Sequence, residues 1–260
     1  MPLPAIDVVI PAIEKDLGTL PHVIDSVRKM VKHPIGKFMI VSPDTPRMRR
    51  LCKQKNCSFI NENTVLPITK KNIHYRSAKW ERSGWLFQQL LKLGSSKLGA
   101  NKYYLVIDAD TILIRPHAFL TESGLPIFYY RNWSQPEYYQ TYRKLMGRKH
   151  SSKTSFVTHY MLFESAKVSQ LKRTIEQRHG IPWYQAIIRS INMKKQFGFS
   201  EFETYGNFLR DKRPGSLVMK PALNKSLSMS ASRLTEAKRL KLARSYRSVS
   251  FHHRKGYVRK

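Results

Sequence analysis

Residues 102–114 read Lys-Tyr-Tyr-Leu-Val-Ile-Asp-Ala-Asp-Thr-Ile-Leu-Ile. The apolar run Tyr103 to Ile107 stops at two carboxylates, Asp108 and Asp110, and a second apolar run follows. A continuous apolar run of this length, bounded by polar residues, predicts a strand buried on both faces, as in a parallel sheet. Ligands of such sheets bind beyond the carboxyl ends of the strands, where Asp108 and Asp110 fall. Two carboxylates one residue apart suit a hard divalent cation, which takes oxygen ligands and bridges to substrate phosphates. The competing reading is a pair of turn aspartates closing a strand.

The residues on either side supply the rest of such a sheet. Asp7-Val-Val-Ile-Pro-Ala predicts a first strand, and Leu20 to Val31 has helical spacing. Lys37 to Ser42 predicts a second strand, Arg47 to Lys55 a basic helix, and Ser58 to Glu62 a short third strand. This β-α-β-α-β alternation argues for parallel strands with right-handed crossovers. Ser83 to Leu93 predicts an apolar helix before the Asp-x-Asp strand, and Ile127 to Tyr130 another strand. Helices are expected over Glu137–Met146, Lys167–His179 and Tyr184–Asn192, and Phe156 to Phe163 reads as strand or extended core. From Phe199 a helix is expected with Ser200 as N-cap and Glu203 closing a capping box. The fold class is therefore α/β, a mostly parallel central sheet flanked by helices.

Composition bounds the rest. The chain has 260 residues, 41% of them hydrophobic, enough for a sizeable core. Its formal charge is +30, from 47 Lys and Arg against 17 Asp and Glu. Such a chain attracts polyanions: nucleic acid, anionic lipid or an acidic polymer. Residues 1–211 are expected to form one catalytic domain. Residues 212–260 hold 14 Lys or Arg against the single acid Glu236 and read as a basic C-terminal extension. Within it, Ala231, Leu234, Ala237, Leu240, Ala243, Tyr246 and Val249 recur every third position. That stripe suggests a basic amphipathic helix, either lying on an anionic membrane surface or packed on the domain. Cys52 and Cys57 have no further cysteine or nearby histidine to complete a zinc site, so they read as ordinary thiols of a reducing compartment. No apolar run approaches a membrane span and the N-terminus lacks a signal-like pattern. The expected location is cytoplasmic, or peripheral on the cytoplasmic face of a membrane.

Together, Val-Val-Ile-Pro-Ala, Ile-Val-Ser-Pro-Asp and Tyr-Leu-Val-Ile-Asp-Ala-Asp-Thr resemble a GT-A-fold nucleotide-sugar glycosyltransferase with an Asp-x-Asp motif. The runs Arg-Ser-Gly-Trp-Leu-Phe-Gln-Gln-Leu-Leu-Lys-Leu, Val-Thr-His-Tyr-Met and Phe-Ser-Glu-Phe-Glu-Thr-Tyr-Gly-Asn narrow the resemblance. They are similar to a bacterial glycosyltransferase group known as a domain of unassigned function. The resemblance covers about Asp7 to Leu209. It implies transfer of a sugar from a nucleotide-diphosphate donor, a UDP-sugar foremost, with Mn²⁺ or Mg²⁺ as cofactor. Pro11 and Ala12 would line the base pocket, and Asp44 would approach base or ribose. Asp108 would touch ribose or the metal's water shell, and Asp110 would ligate the metal, which neutralises the leaving diphosphate. A third ligand would come from His252 or His253, which read equally as a polar pair in a basic tail.

Glu201 is the expected catalytic base for the acceptor hydroxyl, with Glu203 as the cap, because residues two apart on a helix do not share a face. A helix-terminal charge is the alternative for Glu201. His159 either faces the acceptor or is a core histidine. Arg82 and Lys79, beside Trp80 and Trp85, either bind donor phosphate or belong to the basic surface. The aromatics of Tyr129-Tyr-Arg-Asn-Trp and of Tyr138-Tyr-Gln-Thr-Tyr-Arg could stack on sugar rings. The charge points to an acidic or lipid-linked cell-surface glycan or polymer as acceptor, in cell-wall or polysaccharide synthesis. Two other classes remain. A nucleic-acid or polyanion binder would explain the charge, but no helix-turn-helix, zinc or RNP-type signature is present, so nucleic acid is not favoured. A sugar nucleotidyltransferase would share the metal chemistry, but Ile10-Pro-Ala-Ile-Glu-Lys-Asp-Leu-Gly is not the Gly-rich phosphate loop it uses.

Overall fold

In a computed structural model, residues 3–150, 152–212 and 215–251 are described. Five strands form the central sheet: β1 (Ile6–Pro11), β2 (Ile35–Ser42), β3 (Ser58–Asn61), β4 (Tyr103–Ile107) and β7 (Tyr160–Glu164). Their order is β3-β2-β1-β4-β7. All neighbours are parallel except β4 and β7, which pair antiparallel from Tyr103–Glu164 to Ile107–Tyr160. The α/β class with a mostly parallel sheet is the observed architecture.

The strands are apolar because each faces two cores. Along β4, Tyr103, Leu105 and Ile107 enter one cluster with α1 (Leu20–Met30) and α2 (Pro46–Gln54). Tyr104 and Val106 enter the other, with α3 (Ser83–Gly94), α4 (Pro136–Met146), α5 (Ser165–His179), α6 (Trp183–Ser190) and α7 (Glu201–Lys212). The period-2 alternation of a strand thus divides one five-residue run between two helical layers. At the amino end of β1, the buried Asp7 carboxylate accepts from Lys37 N at 2.7 Å, Asn101 N at 3.1 Å and Asn101 Nδ2 at 2.8 Å.

Two expectations need correction. Of the stretch 156–163, only the part from Tyr160 is strand. His159 adopts φ +71°, a left-handed conformation that breaks extension. The three-residue stripe from Ala231 to Val249 is not one helix. It divides into a 3₁₀ turn (Ala231–Arg233), α8 (Glu236–Ala243) and strand β10 (Ser248–Ser250). A period of three drifts round an α-helix, so the helix has no continuous apolar face. Instead β10 pairs antiparallel with β5 (Thr111–Leu113), which follows Asp110, and parallel with β9 (Asn224–Ser226). A further pair, β6 (Ile127–Tyr130) with β8 (Val218–Pro221), is parallel.

One helix glycine is fixed by packing. A Cβ on Gly206 of α7 would lie 2.5 Å from two ring atoms of the buried Phe156. Alanine normally favours a helix over glycine by about 1 kcal/mol. Here Gly206→Ala is expected to destabilise by about 1–3 kcal/mol through overpacking. A melting curve checks it, and a higher melting temperature for the variant would remove the close contact from the account.

Candidate active site

The carboxyl ends of β1 and β4 open into a cleft of about 1030 Å³. Asp108 and Asp110 lie in its wall immediately after β4. Pro11 and Ala12, at the end of β1, line it, and Gln88 of α3 donates to the Pro11 carbonyl at 3.2 Å. Arg82, Lys92 and His159 line it as well.

Asp108 is held from several directions. Its backbone N donates to the His159 carbonyl at 2.9 Å, and its carbonyl accepts from Thr111 N at 3.1 Å. Its Oδ2 meets His159 Nδ1 at 3.0 Å, and its Oδ1 accepts from Lys92 Nζ at 2.5 Å. The left-handed turn at His159 lets one residue contact Asp108 through both backbone and ring, a constrained conformation of the kind found at functional sites. Lys92 Nζ also donates to Glu201 Oε1 at 2.7 Å and lies 4.5 Å over the Phe202 ring. Lys92 and Glu201 are fully buried.

This buried cation between two carboxylates sets the local electrostatics. Burial alone would discharge Lys92, but Asp108 and Glu201 outweigh it and hold its pKa above the ordinary value. For Asp108, burial opposes ionisation, and Lys92 and His159 overcome it, so the carboxyl stays well below the usual range. Glu201 shifts the other way: burial dominates, Lys92 only partly offsets it, and the charge on Asp108 adds to the rise.

Asp110 is the carboxylate beside the opening. Its Oδ1 accepts from Thr111 Oγ1 at 3.3 Å, and its carbonyl accepts from Phe251 N at 2.9 Å. Asp16, on the turn after β1, also lines the cleft; burial raises its pKa, and the charges of Asp110 and Asp108 act in the same direction. Among the described residues, no group of three His, Cys, Asp or Glu is disposed to hold a metal. His252 and His253 lie outside the described residues.

The other site expectations are distributed as follows. Asp44 is exposed in the loop after β2, bound to Arg49 through two bonds of 2.6 Å, and is not part of the cleft wall. Arg82 is buried, with its Nε donating to the Gln196 carbonyl at 3.2 Å. Its guanidinium lies 4.5 and 4.6 Å from the ring centres of Trp85 and Phe197, which stand edge to face with each other. Lys79 is exposed outside the wall. Glu201 is not part of the wall either; Lys92 stands between it and Asp108.

Glu203 was expected to close a capping box, and only half of that forms. Ser200 Oγ accepts from Glu203 N at 3.2 Å. The Glu203 carboxylate instead accepts from Ser155 Oγ at 2.6 Å, Phe156 N at 3.2 Å and Asn207 Nδ2 at 2.9 Å. It is fully buried and ties α7 to the segment that leads into His159. Burial outweighs these donors and pushes its pKa up from 4.5 to about 7. An acid with a raised folded-state pKa favours folding while protonated. That contribution is complete below the unfolded value and is lost as pH rises through about 7. Melting temperature is expected to fall between pH 5 and 8, by up to about 3 kcal/mol in stability, and Glu203→Gln, which mimics the protonated form, should flatten this component. Identical pH profiles for both proteins would contradict it.

Lys92 was not singled out from the sequence, yet it carried a signal. A lysine inside Leu-Leu-Lys-Leu of an apolar helix is buried, and a buried charge needs a partner. Asp16 carried none: one acid in a polar loop resembles any other.

Residues 4–223 match the model of a family of unknown function, DUF6492. No curated protein matches the sequence. Among solved structures, mouse xyloside xylosyltransferase 1 in its apo form superposes with a TM-score of 0.50 at 11% identity, covering 96% of this chain and 98% of that one. The galactosyltransferase LgtC, in complex with donor and acceptor sugar analogues, gives 0.49 at 14% identity over 95% of this chain and 87% of that one. At 11% identity the likeness to the xylosyltransferase is one of fold, the GT-A-like arrangement.

Proposed function

We propose that this chain, which belongs to the family of unknown function DUF6492, is a metal-dependent glycosyltransferase. It moves a sugar from a nucleotide-diphosphate donor, a UDP-sugar foremost, to a hydroxyl of an acidic or lipid-linked glycan. The observation that carries this reading is the pair Asp108 and Asp110 at the mouth of β4, inside a cleft across the carboxyl ends of parallel strands. The xylosyltransferase named above has the same fold, which supports the class.

The residues fit a hard cation. Mg²⁺ and Mn²⁺ take oxygen ligands, and Mg²⁺ commonly uses one or two carboxylates with substrate phosphates completing the shell. Asp110 would supply the direct carboxylate, and Asp108, engaged by Lys92 and His159, would act through the metal's water shell. The chain continues into His252 and His253 from Phe251, whose N–H is bonded to the Asp110 carbonyl; either imidazole is our candidate for a further ligand. When bound, the metal supplies Lewis-acid charge to the departing diphosphate.

The chain's own groups prepare that chemistry. Lys92 and His159 fix the Asp108 carboxylate so that it does not reorganise during reaction. Glu201 contributes through Lys92, holding the ammonium at Asp108, rather than by reaching the acceptor. Pro11 and Ala12 form an apolar wall on the β1 side suited to a nucleoside. The net charge of +30 favours an anionic acceptor or an anionic membrane surface. Among the described residues, no helix is long and apolar enough to cross a membrane.

The test is a screen of nucleotide sugars for Mn²⁺-dependent binding and slow hydrolysis by the full chain. One donor is expected to bind and turn over only with metal. Absence of nucleoside-diphosphate binding at every metal concentration would return Asp108 and Asp110 to the role of turn residues.

A further inference from the structure

The cleft has two unlike halves on either side of Asp108 and Asp110, which follow β4. The half beside β1 and β2 is walled by small apolar residues, Pro11, Ala12 and Val41. The half beyond β4, on the β7 side, includes Arg131 and Trp133, which follow β6, with Arg131 reaching the Val157 carbonyl ahead of β7. Trp133, two residues after Arg131, is 57% exposed, so a large ring stands open to solvent in this wall. Exposed aromatic surface in a concave wall marks a ligand site. Flat rings flanked by polar groups suit a partner with one apolar face and a polar rim, which is the form of a pyranose.

Arg131 gives this half a charge. Its backbone is locked to Ser155 by two hydrogen bonds of 2.9 Å, and Ser155 is itself tied to the buried Glu203. Its guanidinium is half-buried and reaches the Val157 carbonyl at 3.4 Å. Burial lowers its pKa, and no carboxylate among the described residues pairs with it to reverse that shift. Two other cleft cations are differently placed: Lys92 is held by two carboxylates, and Arg82 lies against the rings of Trp85 and Phe197. A guanidinium that is partly desolvated, rigidly based and without an acidic partner is a prepared site for an anion.

We propose that Arg131 and Trp133 form an acceptor subsite for a hexose ring bearing an anionic group, a uronate carboxylate or a sugar phosphate. This rests on the glycosyltransferase reading and adds to it the acceptor's chemistry and the residues that recognise it. The Trp133 ring stacks the sugar and Arg131 binds its charge, while the nucleotide occupies the β1–β2 half.

The experiment measures equilibrium binding to the full chain with Mn²⁺ and UDP present, at high salt to screen the general positive charge. The probes are methyl glucuronide, glucose 1-phosphate and methyl glucoside, and comparison of the first two separates carboxylate from phosphate. At least one anionic sugar is expected to bind about tenfold or more tightly than the glucoside. Arg131→Gln should erase that preference and Arg131→Lys retain part of it. Trp133→Ala should weaken all three sugars, and UDP affinity should be unchanged in every variant, with melting curves verifying folding. The subsite is overturned if none of the sugars binds, if charged and neutral sugars bind alike, or if the preference survives Arg131→Gln. A loss of UDP affinity in Trp133→Ala also overturns it, by giving the ring to the nucleotide base. Wild-type protein that binds an anionic sugar through Arg131 but no nucleoside diphosphate supports the subsite and removes the glycosyltransferase reading.

Discussion

Asp110→Asn is expected to lower metal-dependent donor turnover by about 10²–10³-fold while leaving the fold intact. The residue is half-buried at the cleft and follows β4, outside both hydrophobic clusters. An amide keeps the size and the acceptor oxygen that faces Thr111 but removes the negative charge a cation needs. A metal-assisted step draws several kcal/mol from that charge, and each 1.36 kcal/mol is about tenfold in rate. Donor hydrolysis measured against Mn²⁺ concentration checks this. A variant with wild-type turnover and wild-type Mn²⁺ dependence would remove Asp110 as a metal ligand. A variant with a much lower melting temperature would mean that the carboxylate is structural.

Lys92→Met is expected to produce the largest loss of stability. The ammonium is buried between Asp108 at 2.5 Å and Glu201 at 2.7 Å. Methionine fills the space of the stem but leaves two carboxylates close together, Glu201 fully buried and Asp108 at the cleft wall. Breaking a buried ion pair by removing one partner costs about 3–5 kcal/mol, because the remaining charge is uncompensated. For a chain of this size that corresponds to a fall of roughly 6–20 °C in melting temperature. Turnover should fall as well, since Asp108 loses the group that positions it. The triple variant Lys92→Met, Asp108→Asn, Glu201→Gln separates the two effects. With the charges removed together it should recover much of the stability and none of the activity. An unchanged melting temperature in Lys92→Met would count against a charged Lys92 in the native protein.

Much of the sheet was legible because local pattern and tertiary environment agree there. Tyr103–Ile107 is apolar at every position since both faces of β4 are covered, and Leu20–Met30 shows a helical stripe since only one face is. The turn at His159 was hidden because nothing in Val-Thr-His-Tyr-Met signals a positive φ; the apolar run predicted extension straight through it. The C-terminal stripe misled for the opposite reason. Ala231, Leu234, Ala243, Tyr246 and Val249 do meet a core, whereas Ala237 and Leu240 are exposed, and Val249 reaches the core as a strand residue beside Ile112, not as part of a helix.

The site divides along the same line. By itself the sequence determined that two aspartates end a buried strand, because a run of apolar residues followed by Asp-Ala-Asp has few other resolutions. It also determined the excess of positive charge, which is a sum over residues and needs no coordinates. Only the tertiary structure decided what each carboxylate does. Asp108 and Lys92 are 16 residues apart, and Lys92 and Glu201 are 109 apart. Their ionisation depends on burial and on partners brought together by folding, and neither is a property of nearest neighbours in sequence. Glu201 and Glu203 illustrate the point: two residues apart in sequence, each fully buried, they face different partners across the molecule because successive helix positions point in different directions.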